Sequence, residues 1–365
     1  AALLLLLAWD AFAPSNAALP ESSKACLPCH ERQVLEWRES WMARAYTDPA
    51  FQHDLEKLRA LEDGSQLPPG FARDCLRCHA PLAYYGEDRE LRTEASREGV
   101  TCTVCHGIVN LIDVDERRKT FQIDLKSPVI YGPSETPKET PAHRLRHSPV
   151  LRRSELCMMC HHDTSRNAPY ELKWEEYQAS PYPALGIRCQ DCHMRATESH
   201  RFPGGHSDSP LLTGAASLTI EEAKEGLARI RVTNVGVGHR FPTRGAHEPE
   251  LRLVLEVRDE EGRLVETGVR SFRYAFVDGT GAVQRLGEPT APIVGAKDST
   301  LPPQDSRVET FELAAVQPGR ELSAYLEYRL VPEYRRHVYP AEMYEKYFRP
   351  TRVAETSLTV RRRAP

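Results

Sequence analysis

One pentapeptide pattern recurs five times in this 365-residue chain: Cys26-x-x-Cys29-His30, Cys75-x-x-Cys78-His79, Cys102-x-x-Cys105-His106, Cys157-x-x-Cys160-His161 and Cys189-x-x-Cys192-His193. These motifs use all ten cysteines of the chain. With ten cysteines and 14 histidines, chance would supply roughly 0.01 copies. C-x-x-C-H is the attachment signature of haem c. Two thiols add across the two vinyl groups of one haem, so they must stand a haem edge apart, and the next residue binds the iron from beneath. A disulfide framework would not require a histidine after every second cysteine. Tetrahedral zinc sites would not either, and a thioredoxin-like redox pair occurs singly in a βαβ setting. The motifs therefore predict five covalently bound haem c groups. Their irons would be held by His30, His79, His106, His161 and His193.

The motifs begin at 26, 75, 102, 157 and 189, so the gaps are 49, 27, 55 and 32 residues. That is too little chain to build an ordinary core around each of five large flat cofactors. The haems must then be the core, wrapped by short helices and loops, and cofactors packed that closely conduct electrons. Hydrophobic residues at 40% and charged residues at 27% are an ordinary soluble balance that argues against membrane spans. A net charge of -4 gives no sign of nucleic-acid binding, and the terminal RRRAP reads as a solvated tail. Haem propionates would make the loaded protein more acidic still.

The opening AALLLLLAWDAFA is too short to cross a bilayer and leads to small residues at Ala11-Phe12-Ala13 and Asn16-Ala17-Ala18. It reads as the end of a signal peptide over residues 1–19, against the alternative of a retained helix. Export agrees with haem attachment and predicts a periplasmic or cell-surface location.

Each iron has a sixth position, and its occupant separates electron carriers from catalysts. Nine histidines lie outside the motifs: His53, His143, His147, His162, His200, His206, His239, His247 and His337. His162 cannot share an iron with the adjacent His161, so it serves a neighbouring haem or faces solvent. His200 and His206 bracket HRFPGGH, where Pro and Gly let the chain reverse. His239 lies in VGVGHRFPT, whose small residues permit close approach to a flat ring. His143, with His147 four residues on, precedes the fourth motif. His53, His247 and His337 have ordinary polar surroundings.

Residues 31–60 have helical periodicity interrupted at Asp48-Pro49, and later segments of this half are short and Pro-rich. Trp37, Trp174, Tyr84 and Tyr85 read as haem-stacking or core aromatics. Met158 and Met159, inside the fourth motif, read as packing. After residue 210 the texture changes. ASLTIEEA, LARIRVTNV, ELRLVLEVRD, LVETGVRSFRYAFV, RVETFELAAV, ELSAYLEYRLV and VAETSLTVRR alternate apolar and polar residues between turns such as DEEG and DGTG. Seven such strands predict an antiparallel β-sandwich of immunoglobulin-like architecture, with PAEMYEKYF as a short helix before the last. The predicted fold class is thus α + β in separate domains. A pentahaem, mainly helical and loop domain spans 20–210, and the sandwich spans 211–365.

The stretches WRESWMARAYTDPAF, GVTCTVCHGI, WEEYQASPYPALGIRCQDCHM, HRFPGGH and NVGVGHRFPT together resemble the multihaem cytochrome c family with paired CxxCH motifs. That group includes the tetrahaem electron acceptor of hydroxylamine oxidoreductase. The resemblance covers most of the chain and implies an exported, largely bis-His electron carrier. Its partners would be other cytochromes or a membrane quinol or oxidoreductase complex. In relatives the first stretch reads W-x-x-S-x-H-A with a ligating His, and Met42 takes that place here. The AHRL and GHRFPT stretches resemble ligand-bearing segments, which favours His143 and His239. Relatives more often have PTG where this chain has Pro242-Thr243-Arg244.

Met42 is accordingly a candidate ligand, against packing on a helix. It lies 12 residues beyond His30, about 18 Å along one continuous helix. On such a helix it would serve a neighbouring haem and raise its potential above the bis-His haems. The expected sixth ligands are Met42, His143, His200, His206 and His239. Two other functions compete with the electron carrier. One is a reductase or oxidase of nitrogen or sulfur oxyanions at one open haem, against which no C-x-x-C-K motif is present. The other is a subunit of a conductive filament or homo-oligomer.

Overall fold

The computed structural model describes residues 22–86, 88–113, 119–140, 142–163, 171–195, 199–206, 210–245, 248–284 and 292–361. The signal-peptide reading at 1–19, His247 and the last four residues of RRRAP lie outside them. The chain folds as two compact units, Ala1–Cys160 with Arg188–Phe202 and His161–Ile187 with Pro203–Pro365. The excursion at 161–187 gives the division three crossings in sequence, after residues 160, 187 and 202, where a single boundary near 210 is expected.

In the first unit, helix α1 (Glu31–Glu39) ends at Ser40, whose extended backbone breaks the turn. The Ser40 hydroxyl then caps α2 (Trp41–Arg44) by accepting from Ala43 N, the usual role of Ser at a helix start. Residues 31–45 are therefore not one helix, and the 18 Å separation expected between His30 and Met42 does not apply. Asp48 caps α3 (Pro49–Asp63), with Pro49 at its first position, where a missing N–H costs nothing. Short helices follow at α4 (Phe71–Asp74), α5 (Leu76–His79), α6 (Pro81–Tyr85) and α7 (Cys102–His106). Residues 108–147, which the sequence suggests are irregular, form strands. β1 (Ile108–Asp113) pairs with β2 (Lys119–Ile123), and β3 (Val129–Gly132) and β4 (Lys138–Glu139) flank β5 (Arg144–His147). Helix α8 (Glu155–His161) carries the fourth motif, and Met158 and Met159 on it are buried.

In the second unit, β6 (His162–Asp163) pairs with β7 (Glu171–Leu172), which leads into α9 (Lys173–Gln178). The fifth motif is α10 (Cys189–His193), in the first unit. All seven predicted strands of the C-terminal half form: β8 (Ala216–Lys224), β9 (Leu227–Asn234), β10 (Glu250–Arg258), β11 (Leu264–Phe272), β15 (Ser306–Glu312), β16 (Glu321–Arg329) and β17 (Thr351–Thr359). LVETGVRSFRYAFV divides at Arg273 into β11 and β12 (Tyr274–Val277), which joins β13 (Val283–Gln284) and β14 (Gly295–Asp298) in a small antiparallel sheet. The larger sheets have strand orders β11-β10-β16-β17 and β15-β9-β8, antiparallel throughout.

Alternation places the core. Leu251, Leu253, Leu255 and Val257 of β10 pair with Tyr328, Leu326, Ala324 and Leu322 of β16, and all eight are buried. Both turn signals close as expected, because Asp259 Oδ1 accepts from Glu261 N and Arg263 N, and Asp278 Oδ1 from Thr280 N and Ala282 N. The PAEMYEKYF stretch forms a 3-10 turn at Ala341–Met343 and one helical turn at Tyr344–Tyr347.

Candidate haem sites

Each C-x-x-C-H motif forms a single helical turn. His30 N donates to Cys26 O at 2.9 Å and His79 N to Cys75 O at 3.1 Å. The third, fourth and fifth motifs lie on α7, α8 and α10. A turn places residues three and four apart on one face, so both thiols and the imidazole address the same side. None of the ten cysteines is in a disulfide. Across motifs, the Cys26 and Cys102 thiols lie within hydrogen-bonding reach of each other, as do those of Cys157 and Cys189. The first motif thus touches the third, and the fourth touches the fifth.

The imidazoles supply the clearest geometry. The His30 and His143 rings stand 6.2 Å apart at 25°, and the His106 and His200 rings 6.4 Å apart at 27°. Stacked rings in van der Waals contact would be far closer, as Phe51 and His79 are at 3.8 Å. A metal bound by an imidazole lies about 2.0–2.1 Å from its nitrogen. Two imidazoles on opposite sides of one metal therefore have centroids about 6.3 Å apart. Both pairs leave the gap that an iron in a flat ring requires. Nδ1 of His143 is buried without a hydrogen-bond partner among the described residues, and a metal bond would satisfy it.

The backbone orients the proximal rings. Nδ1 of His79 lies 2.8 Å from Ala45 O, and Nδ1 of His106 lies 2.7 Å from Tyr131 O. A carbonyl only accepts, so Nδ1 carries the proton and Nε2 keeps the lone pair that a metal needs. Burial holds His79 below the ordinary imidazole pKa, against the Ala45 hydrogen bond and the Asp48 charge. Burial also lowers His143, followed by the charges of His30 and His106. Both shifts favour the neutral, ligating form. The same strand set organises both ring pairs. Tyr131 lies on β3, parallel β5 pairs with it, and His143 stands directly before β5.

The other predicted ligands are placed as follows. In the second unit, Nδ1 of His239 lies 3.0 Å from Arg240 O. Its loop is fastened to α9, because Thr243 donates to Glu176 at 2.6 Å and Lys173 Nζ donates to Arg244 O at 3.2 Å. Burial raises the Glu176 carboxyl and lowers Lys173 to about 8. His162 lies on β6, its Nδ1 buried without a hydrogen-bond partner among the described residues. His206 and His337 are exposed, while His53 and His147 are half-buried. Met42 lies on α2. Its carbonyl accepts from Val100 N at 2.9 Å, and Ala45, one turn on, accepts from His79. Gly99 allows that approach, having φ +75 and a Cβ position 2.3 Å from Met42 O. The Trp37 indole donates to Val100 O at 2.7 Å, Trp174 packs on Tyr177, and Tyr84 meets Tyr85 edge-on.

Sequence reasoning does not find the carbonyls of Ala45 and Tyr131, since any residue could supply them. It also passes over Glu36, which accepts from His200 N at 2.9 Å. Its position on one helical face with Glu39 is the only hint.

Residues 25–107 match the family described as cytochrome c554 and c-prime. That span holds the first three motifs and less than a quarter of the chain. No curated protein matches the sequence. Among solved structures, the penta-haem cytochrome c552 of Thermochromatium tepidum is similar over 93% of this chain and 98% of its own, with 23% identity and a TM-score of 0.70. A β-glucuronidase of Bacteroides uniformis (10% identity, 39% of this chain and 12% of that one, TM-score 0.17) carries no argument at that score. Nor does a β-galactosidase of Bacteroides fragilis (14%, 43% and 17%, TM-score 0.17). The residues from 25 to 107 therefore carry the cytochrome c554 and c-prime pattern, and the chain as a whole has the fold of a multihaem cytochrome c.

Proposed function

We propose that this chain is a pentahaem c-type cytochrome that carries electrons between redox partner proteins. The observation that carries the reading is the spacing of the two imidazole pairs, His30–His143 and His106–His200, which provides two strong axial ligands at each of two irons. The ten motif cysteines would attach five haems, and bound haem supplies one-electron iron chemistry. Contacts between Cys26 and Cys102, and between Cys157 and Cys189, support haem edges close enough for electron exchange within each pair. His143 and His200 serve the first and third irons. His206 and His239 are the other histidines proposed as sixth ligands. The C-terminal unit is an immunoglobulin-like sandwich that scaffolds or docks. The chain works after export, in the periplasm or at the cell surface, with other cytochromes or a membrane quinol complex as partners.

The test is a haem count with a ferric spectrum. Five haems per chain and a wholly low-spin spectrum, unmoved by cyanide or nitrite, are expected. A high-spin fraction that shifts with either anion overturns the pure carrier in favour of an oxyanion reductase or oxidase. His143→Ala should convert one haem of five to high spin.

A further inference from the structure

The axial pair of the third motif is held from an unexpected place, the helix that follows the first motif. We propose that Glu36 and Glu39 of α1 are positioning residues that hold His200 opposite His106, so that one nine-residue helix frames both faces of the third haem site. This rests on the proposed reading of His200 as the sixth ligand there.

The two carboxylates lie three residues apart, on one face of the helix. Glu36 accepts from His200 N at 2.9 Å and also bonds the Ser199 side chain. Glu39 accepts from Arg201 Nη1 at 2.5 Å. Three consecutive residues around the distal ring are thereby tied to α1. The buried side of the same helix works on the proximal half, since Trp37 donates to Val100 O at 2.7 Å. Val100 directly precedes Thr101, whose hydroxyl caps α7 and so sets the turn bearing His106. His106 is in turn held by Tyr131 O. His200 is 94 residues from His106 in sequence.

The experiment measures cyanide binding to the oxidised holoprotein, since cyanide must displace His200 to reach the third iron. Removing a hydrogen bond to a charged, partly exposed acceptor should favour the displaced form by a few-fold to roughly tenfold. Glu36→Ala with Glu39→Ala should therefore tighten apparent cyanide affinity at one haem of five by that factor. Glu36→Gln, which keeps an acceptor oxygen, should restore most of the wild-type value. His200→Ala should open the same haem completely. If His200→Ala opens no haem, the ligand reading fails, whatever the carboxylates do. If it opens one and the double variant binds cyanide as wild type does, the positioning role alone is overturned.

Discussion

The two halves of the molecule bury their hydrocarbon differently. In the C-terminal sheets, Leu251, Leu253, Leu255, Leu322 and Leu326 form a continuous row at 0% exposure, with Ile230 and Val232 of β9 equally buried. Around the motifs, among the described residues, buried apolar side chains form small clusters of six, four and three. Several motif cysteines pack at the margins of those clusters, as Cys75 and Cys160 do. A region with such divided hydrocarbon cannot offset its chain entropy alone. The sheets complete their own core, and the motif region is completed by what its cysteines hold.

That contrast breaks most easily by omitting the cofactor. Chain made with serine at all ten cysteine positions should lose the helical circular dichroism of the motif region while the sheet signal persists. Limited proteolysis should then leave a core made from residues beyond 203. A serine variant as helical and protease-resistant as the loaded protein would abolish the distinction.

The converse change is a cavity in the sheets. Leu253 is at 0% exposure opposite Leu326, and Leu253→Ala should cost about 2–5 kcal/mol of unfolding free energy. Denaturant melts would show this on the sheet transition, while the haem absorption bands stay in place at low denaturant. A haem-band change of equal size would mean that the two regions unfold as one.

A smaller, local test falls within the motif region. At Gly99 a Cβ would stand 2.3 Å from Met42 O on a backbone with φ +75. The left-handed conformation alone costs a non-glycine residue about 1–2 kcal/mol. With the backbone clash added, Gly99→Ala should destabilise by more than that and shift the third haem's spectrum most, because Val100 and Thr101 lead directly into α7. A spectrum that changes equally at all five haems would argue against so local a role.

Legibility in the sequence followed the range of the interactions. The five motifs are decisive because the chemistry is contained in five consecutive residues. The C-terminal strands are legible because alternation is a two-residue period, and their turns because Asp259 and Asp278 bond within four residues. The break at Ser40 is a local cap lost inside a helical pattern. β3 and β5 are short strands whose ladder depends on residues 15 apart, such as Val129 and Arg144. The ring pairs span longer distances, 113 residues from His30 to His143 and 94 from His106 to His200. No local pattern encodes which distant histidine faces which motif, so the sequence leaves a set of candidates and the fold selects from it.

Met42 is the candidate on which the two levels differ most, and it gives the smallest expected effect. Its resemblance to a ligand position in W-x-x-S-x-H-A made it a candidate sulfur ligand, against packing on a helix. Its surroundings suggest otherwise. On the proposed reading, the third iron's two positions go to His106 and His200. Toward the second motif, Ala45 approaches His79 at Nδ1, the nitrogen remote from the metal. Met42 lies one turn before Ala45, so its segment is on the proximal side of that haem, and a sixth ligand must come from the opposite face. We therefore expect Met42→Leu, a near-isosteric change that costs less than about 1.5 kcal/mol, to leave all five midpoint potentials unchanged. Loss of a thioether ligand would instead lower one potential clearly, since a Met ligand raises it relative to histidine. A potentiometric titration in which one haem of five moves downward would restore Met42 to an iron, and that iron would have to be one whose sixth ligand is not a ring already paired.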